Sequence, residues 1–136
     1  MPKLRKYNQQ LFVACVEGYN QPDPEKKIWL RFRNNVENEN YIKNRVDRLF
    51  WKEKETIAWI RKFAADSIFF DVGANIGIYC LYSAKIRKNN VYAFEPHMGN
   101  YINLLDNINE NKLHNCQAFP LALGDKTNLT TLGVKN

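Results

Sequence analysis

This chain has little cysteine, little glycine and no long apolar run. Its 136 residues include three Cys and six Gly. Cys15, Cys80 and Cys116 are odd in number, far apart and without a C-x-x-C pair, which excludes a disulfide framework and a zinc site of ordinary spacing. They are expected to act as small buried apolar residues. No stretch of 18 apolar residues occurs, so no membrane span is expected. Leu11 to Val16 is apolar but too short for the core of a secretion signal, and the ten residues before it are basic and polar. A cytoplasmic address is the default that follows. Repeats and low-complexity tracts are also missing. What is present is ordinary globular composition, 45% hydrophobic and 25% charged. The length suits one domain with a real core, not two.

The net charge of +6 is unevenly spread. From Met1 to Asp66, 14 Lys and Arg stand against 9 Asp and Glu, whereas from Ser67 onward 6 stand against 5. A basic N-terminal half suits an anionic substrate, a glycan or RNA. However, Arg31, Arg33, Lys43, Arg45 and Arg48 alternate with acidic residues and Asn, which is the pattern of a solvated surface rather than a stripe.

Two short strands are expected at Leu11–Val16 and Ile28–Phe32, separated by a turn containing Pro22, Asp23 and Pro24. Asn34 to Asn44 reads as a loop or a frayed helix start. Ile57, Ile60, Phe63 and Ala64 then fall at helical spacing, predicting an amphipathic helix over Lys52–Ala64. From Ser67 strand and helix alternate. Ile68–Val72 is an apolar strand, Ile76–Lys88 a helix with Tyr79, Cys80, Ser83 and Ala84 inward, and Asn90–Glu95 a second strand. Met98–Asn111 carries Tyr101, Leu104, Leu105 and Ile108 at i, i+3, i+4, i+7. Cys116–Leu123 is a third strand, interrupted by Pro120, which suits an edge position. The order predicts an α/β fold with right-handed crossovers and a parallel sheet, its strands in spatial order 3-2-1.

The chemistry lies at two strand ends. Asp71 closes the first strand and Glu95 the second, one crossover unit apart. Ligands of open parallel sheets sit outside such carboxyl ends. Gly73 and Gly77 bracket the intervening turn, where a missing side chain frees the backbone and admits a ligand. Asn75 is expected to cap the following helix. A dinucleotide would need G-x-G-x-x-G and a bare helix N-terminus for its pyrophosphate. Here the turn is G-A-N-I-G, and Asp71 would repel a phosphate. S-adenosylmethionine has no phosphate and carries an ammonium and a sulfonium, so the sign of charge favours it. Glu95 is then placed to accept from the ribose hydroxyls, as acidic residues do in dinucleotide folds. His97 reads as a helix-start residue, and Phe70 and Phe94 as core. No metal-ligating cluster is apparent.

The segments D-V-G-A-N-I-G, V-Y-A-F-E-P, the Asn107 and Asn111 spacing of N-I-N-E-N-K-L, and A-L-G-D at Ala122–Asp125 occur in that order. Together they resemble the FkbM family of class I methyltransferases, from about Trp51 onward. The resemblance implies a Rossmann-like S-adenosylmethionine-binding domain over residues 51–136, preceded by an extension of short strands and loop over 1–50. It implies O-methylation of a hydroxyl on a sugar or small metabolite. By the resemblance, Asp71, Gly73 and Gly77 would line the methionine end, Glu95 would hold the ribose with Pro96 and His97 next to the adenine, Ala122 and Leu123 would be near the edge of the base, and Ala74 and Asn75 would also contact the cofactor. The Y-A-F-E-P and N-I-N-E-N-K-L segments are also similar to tRNA guanine methyltransferases, so RNA is the second acceptor reading, and a non-catalytic binding fold the third.

A class I sheet has seven strands, and three fit here. The first strand would keep a bare edge, an aggregation hazard. A chain truncated before the acceptor-site half, or one completed by another subunit or a second copy, is therefore expected, and by itself it is expected to bind cofactor weakly. No catalytic base stands out.

Overall fold

Asn90–Phe94, called β4, is the middle strand of a three-stranded parallel sheet and positions everything that matters for the site. The computed structural model describes residues 9–15, 27–33 and 54–133. The loop expected at 34–44 and the start of the helix expected at Lys52 lie outside them. In chain order the elements are β1 (Gln9–Cys15), β2 (Lys27–Arg33), α1 (Lys54–Ile60), β3 (Ile68–Val72), α2 (Ile78–Ile86), β4, α3 (Met98–Glu110) and β5 (Cys116–Phe119). β1 and β2 pair antiparallel, whereas β3, β4 and β5 form a separate parallel sheet in that order.

β3 and β4 alternate strictly. In β3, Phe69 and Asp71 are buried while Ile68, Phe70 and Val72 are 59–60% exposed. In β4, Val91 and Ala93 are buried. α2 and α3 cover this one face, contributing Cys80, Leu81, Tyr82, Ala84, Leu104 and Ile108 to a core that also takes in Ile28 and Leu30 of β2. On the opposite face the rings stack across the strands. Phe70 lies 5.6 Å from Tyr92, and Phe94 lies 5.2 Å from Phe119, both within 22° of parallel. Offset stacks of this kind add about 0.5–1.5 kcal/mol per pair beyond burial. Phe70, expected in the core, is therefore on an exposed face, because a strand covered on one side has period two.

Boundaries shifted where local chemistry overrides pattern. β5 stops at Phe119, since Pro120 has no N–H for the ladder. α2 begins at Ile78 rather than Ile76, because Asn75 and Gly77 take left-handed angles. On α3, Leu105 is exposed and its place inside is taken by Asn103 and Asn107. Cys80 and Cys116 are buried free thiols, as expected.

Candidate cofactor site

Val72 hands the chain to a turn in which Gly73, Asn75 and Gly77 have φ of 79°, 55° and 100°. Two of these three are Gly, which adopts such angles without steric cost. The turn is pinned to the end of β4. Both Gly73 N–H and Ala74 N–H donate to the Phe94 carbonyl, at 2.9 and 3.0 Å.

Glu95 ties two turns together. Its Oε2 accepts from Asn75 N–H and its Oε1 from His97 N–H, each at 2.8 Å. Its own N–H donates to the Phe119 carbonyl at 3.0 Å. Asp71 acts one strand away, where Oδ2 accepts from Cys80 N–H at 3.0 Å. Cys80 is the third residue of α2, whose N-cap Gly77 offers no side chain. Asp71 thus supplies from β3 the cap expected of Asn75, whose side chain is exposed instead. The helix starts later than expected, with Gly77 at the N-cap, so Asn75 stands two residues before the capping position.

The two carboxylates lie on one side of the sheet and repel each other. Burial, above all, pushes Asp71 up from 3.8 to about 6; the Cys80 N–H opposes this and the Glu95 charge adds to it. Asp71 and Glu95 are only 7% and 6% exposed. Asp71 accepts from one backbone amide and Glu95 from two. Two hollows among the described residues, of about 430 and 400 Å³, are lined by other residues. Cys80 is no nucleophile. Burial and the neighbouring Cys116 hold its thiol well above the usual range, and it donates to the Gly77 carbonyl at 3.1 Å.

Open space does exist above Gly73. A Cβ added there would meet nothing within 4 Å, whereas one added at Gly77 would lie 2.6 Å from Leu104 Cδ1. The two glycines do different work, one facing outward and one admitting α3 beneath the turn. Ala74 is buried, Pro96 is half-buried, and Ala122 lies exposed beyond the end of β5. His97 caps α3, its Nδ1 accepting from Asn100 N–H at 3.3 Å.

The chain resembles the solved structure of M. jannaschii TYW2 in complex with AdoMet, with a TM-score of 0.54 and 20% identity over 87% of this chain and 45% of that one. The likeness is one of fold. The β3–β4–β5 sheet and its helices form part of a Rossmann-like α/β fold, and the chain spans less than half the length of that neighbour. No protein-family model and no curated protein matches the chain.

One site residue escaped the charge argument. Asn107 of α3 donates from Nδ2 to the Ile76 carbonyl at 2.9 Å, inside the turn. The signal available was its place in N-I-N-E-N-K-L, on a helix whose apolar residues do not complete the inner face.

Proposed function

We propose that this chain is the cofactor-binding part of an S-adenosylmethionine-dependent methyltransferase. One observation carries this reading: two buried carboxylates, Asp71 and Glu95, on the same side of a left-handed turn that leaves open space above Gly73. An anionic cofactor would meet two like charges there. A cationic one relieves their repulsion and favours the ionised form of Asp71. A carboxylate has about four acceptor positions, so Glu95 retains capacity for ribose hydroxyls beyond its two backbone bonds. Gly73, Ala74, Asn75 and Gly77 would bound the methionine end, Pro96 the adenine side, and Ala122 the edge of the base. The bound AdoMet of the TYW2 structure supports the choice of cofactor.

The acceptor reading is O-methylation of a hydroxyl on a sugar or small metabolite, supported by the four FkbM-like signatures. Because the sulfonium is already activated, alignment supplies much of the rate, with effective molarities on the order of 10⁵ M or more. A second reading, an RNA acceptor, is supported by the net charge of +6 and by the segments similar to tRNA guanine methyltransferases.

Titration calorimetry with S-adenosylhomocysteine tests the cofactor reading. Wild type is expected to bind, and Glu95→Gln to bind more weakly. Absence of heat and of any thermal shift would favour a non-catalytic fold. Transfer of a labelled methyl group to hydroxyl acceptors or to tRNA, the latter with a steep salt dependence, then separates the two acceptor classes.

A further inference from the structure

The peptide joining Ile76 to Gly77 precedes a glycine with φ of 100°. Gly77 tolerates either sense of φ, so nothing in the chain itself prevents that peptide from flipping. Two bonds fix it. Gly77 N–H donates to the Ala74 carbonyl at 2.9 Å, and the Ile76 carbonyl accepts from Asn107 Nδ2 at 2.9 Å. The second bond comes from another element, 31 residues away.

Asn107 is fully buried, 0% exposed, within the 13-residue helix α3. An apolar residue is the ordinary occupant of such a place, and a buried amide is costly unless bonded. Asn111, one turn on, bonds the backbone of the same residue: its Nδ2 donates to the Asn107 main-chain carbonyl at 2.8 Å. The same Asn111 amide accepts from Trp29 N–H at 2.9 Å and donates to the Trp29 carbonyl at 2.7 Å. It thereby pairs both backbone groups of one β2 residue, as a neighbouring strand would. A line of amides runs from β2 through α3 to Ile76.

We propose that Asn107 is a positioning residue for the cofactor site, locking the Ile76–Gly77 peptide so that the turn is formed before ligand arrives, with Asn111 anchoring it to β2. This rests on the S-adenosylmethionine reading of the turn. Preforming a site removes ordering cost from binding, so the effect falls on affinity.

Amide hydrogen exchange and calorimetry with S-adenosylhomocysteine test it in the same proteins. Asn107→Ala removes the bond to the Ile76 carbonyl and is expected to speed exchange at the Asn75 and Gly77 amides about tenfold and to weaken the ligand about tenfold. Asn107→Ser, with a shorter donor, should fall between and guards against misfolding of the alanine variant. Asn89 is the control. It is equally buried and bonds the Ala64 carbonyl and Ser67 Oγ at the far end of β4. Asn89→Ala should leave turn exchange and affinity within about twofold of wild type, as for independent sites. Unchanged turn exchange in the Asn107 variants, or an equal rise in Asn89→Ala, would overturn the proposal. Should wild type bind no S-adenosylhomocysteine, the cofactor reading fails, while the exchange comparison still decides whether Asn107 sets the turn.

Discussion

Gly73 and Gly77 share left-handed angles, yet their replacement should have different consequences. At Gly77 a methyl would lie 2.6 Å from Leu104 Cδ1. Gly77→Ala is expected to cost about 2–4 kcal/mol in urea denaturation, from strain plus overpacking. Gly73→Ala, with nothing within 4 Å, should cost about 1 kcal/mol from strain alone while still weakening S-adenosylhomocysteine in calorimetry. Asp71 brings a pH signature. Its native carboxyl titrates at about 6, against 3.8 ordinarily, so in that window the native chain holds a proton that the unfolded chain has lost. Stability therefore falls as pH rises from 3.8 to about 6, by at most about 3 kcal/mol. Asp71→Asn keeps an acceptor for Cys80 N–H and should flatten melting temperature across that window. A mutant slope parallel to wild type would place the titration on another group. Ligand affinity runs the opposite way: an ammonium favours ionised Asp71, so binding should strengthen as pH rises through about 6.

Among the elements, α2 and α3 differ in how their ends are satisfied, and the difference explains what could be read beforehand. The strands β3 and β4, the two crossovers and the order of the sheet were legible because apolar strands and an amphipathic α3 leave strong periodic signals. The carboxylates at both strand ends were legible for the same reason. Three features were not. The cap of α2 comes from Asp71 across the turn, a nonlocal bond with no mark in local spacing. The inner face of α3 includes Asn103 and Asn107, and hydrophobic counting passes over buried amides. The lysines Lys85, Lys88 and Lys112 line one hollow near the C-terminal ends of α2 and α3, where Lys85 Nζ donates to Asn111 Oδ1 at 3.1 Å, a grouping that a tally of net charge misses. Joining elements also carries a testable cost. Asn111→Ala would leave Trp29 N–H and carbonyl without their partner and is expected to lower stability by about 2–4 kcal/mol, read as a lower urea midpoint with unchanged slope.

At the scale of the molecule, the sheet is dressed on one face only among the described residues. Ile68, Phe70 and Val72 remain 59–60% exposed beside the stacked rings of Tyr92, Phe94 and Phe119. No described strand pairs with the outer edge of β3. An apolar face next to an open edge invites association. Ile68→Lys combined with Val72→Lys is expected to reduce light scattering on concentration and binding of a hydrophobic dye, with a stability change of no more than about 1 kcal/mol. Unaltered scattering would mean that this face is covered in solution. No helix among the described residues is long and apolar enough to cross a membrane.

The single Phe94 oxygen that receives both Gly73 and Ala74 has a consequence for how this chain tolerates changes of length. An insertion or deletion between Val72 and Asn75 would slide those amides off their shared acceptor or carry Asn75 away from Glu95. The exposed stretch past Pro120 has no such lock, so variation in loop size is affordable there and ruinous at the turn.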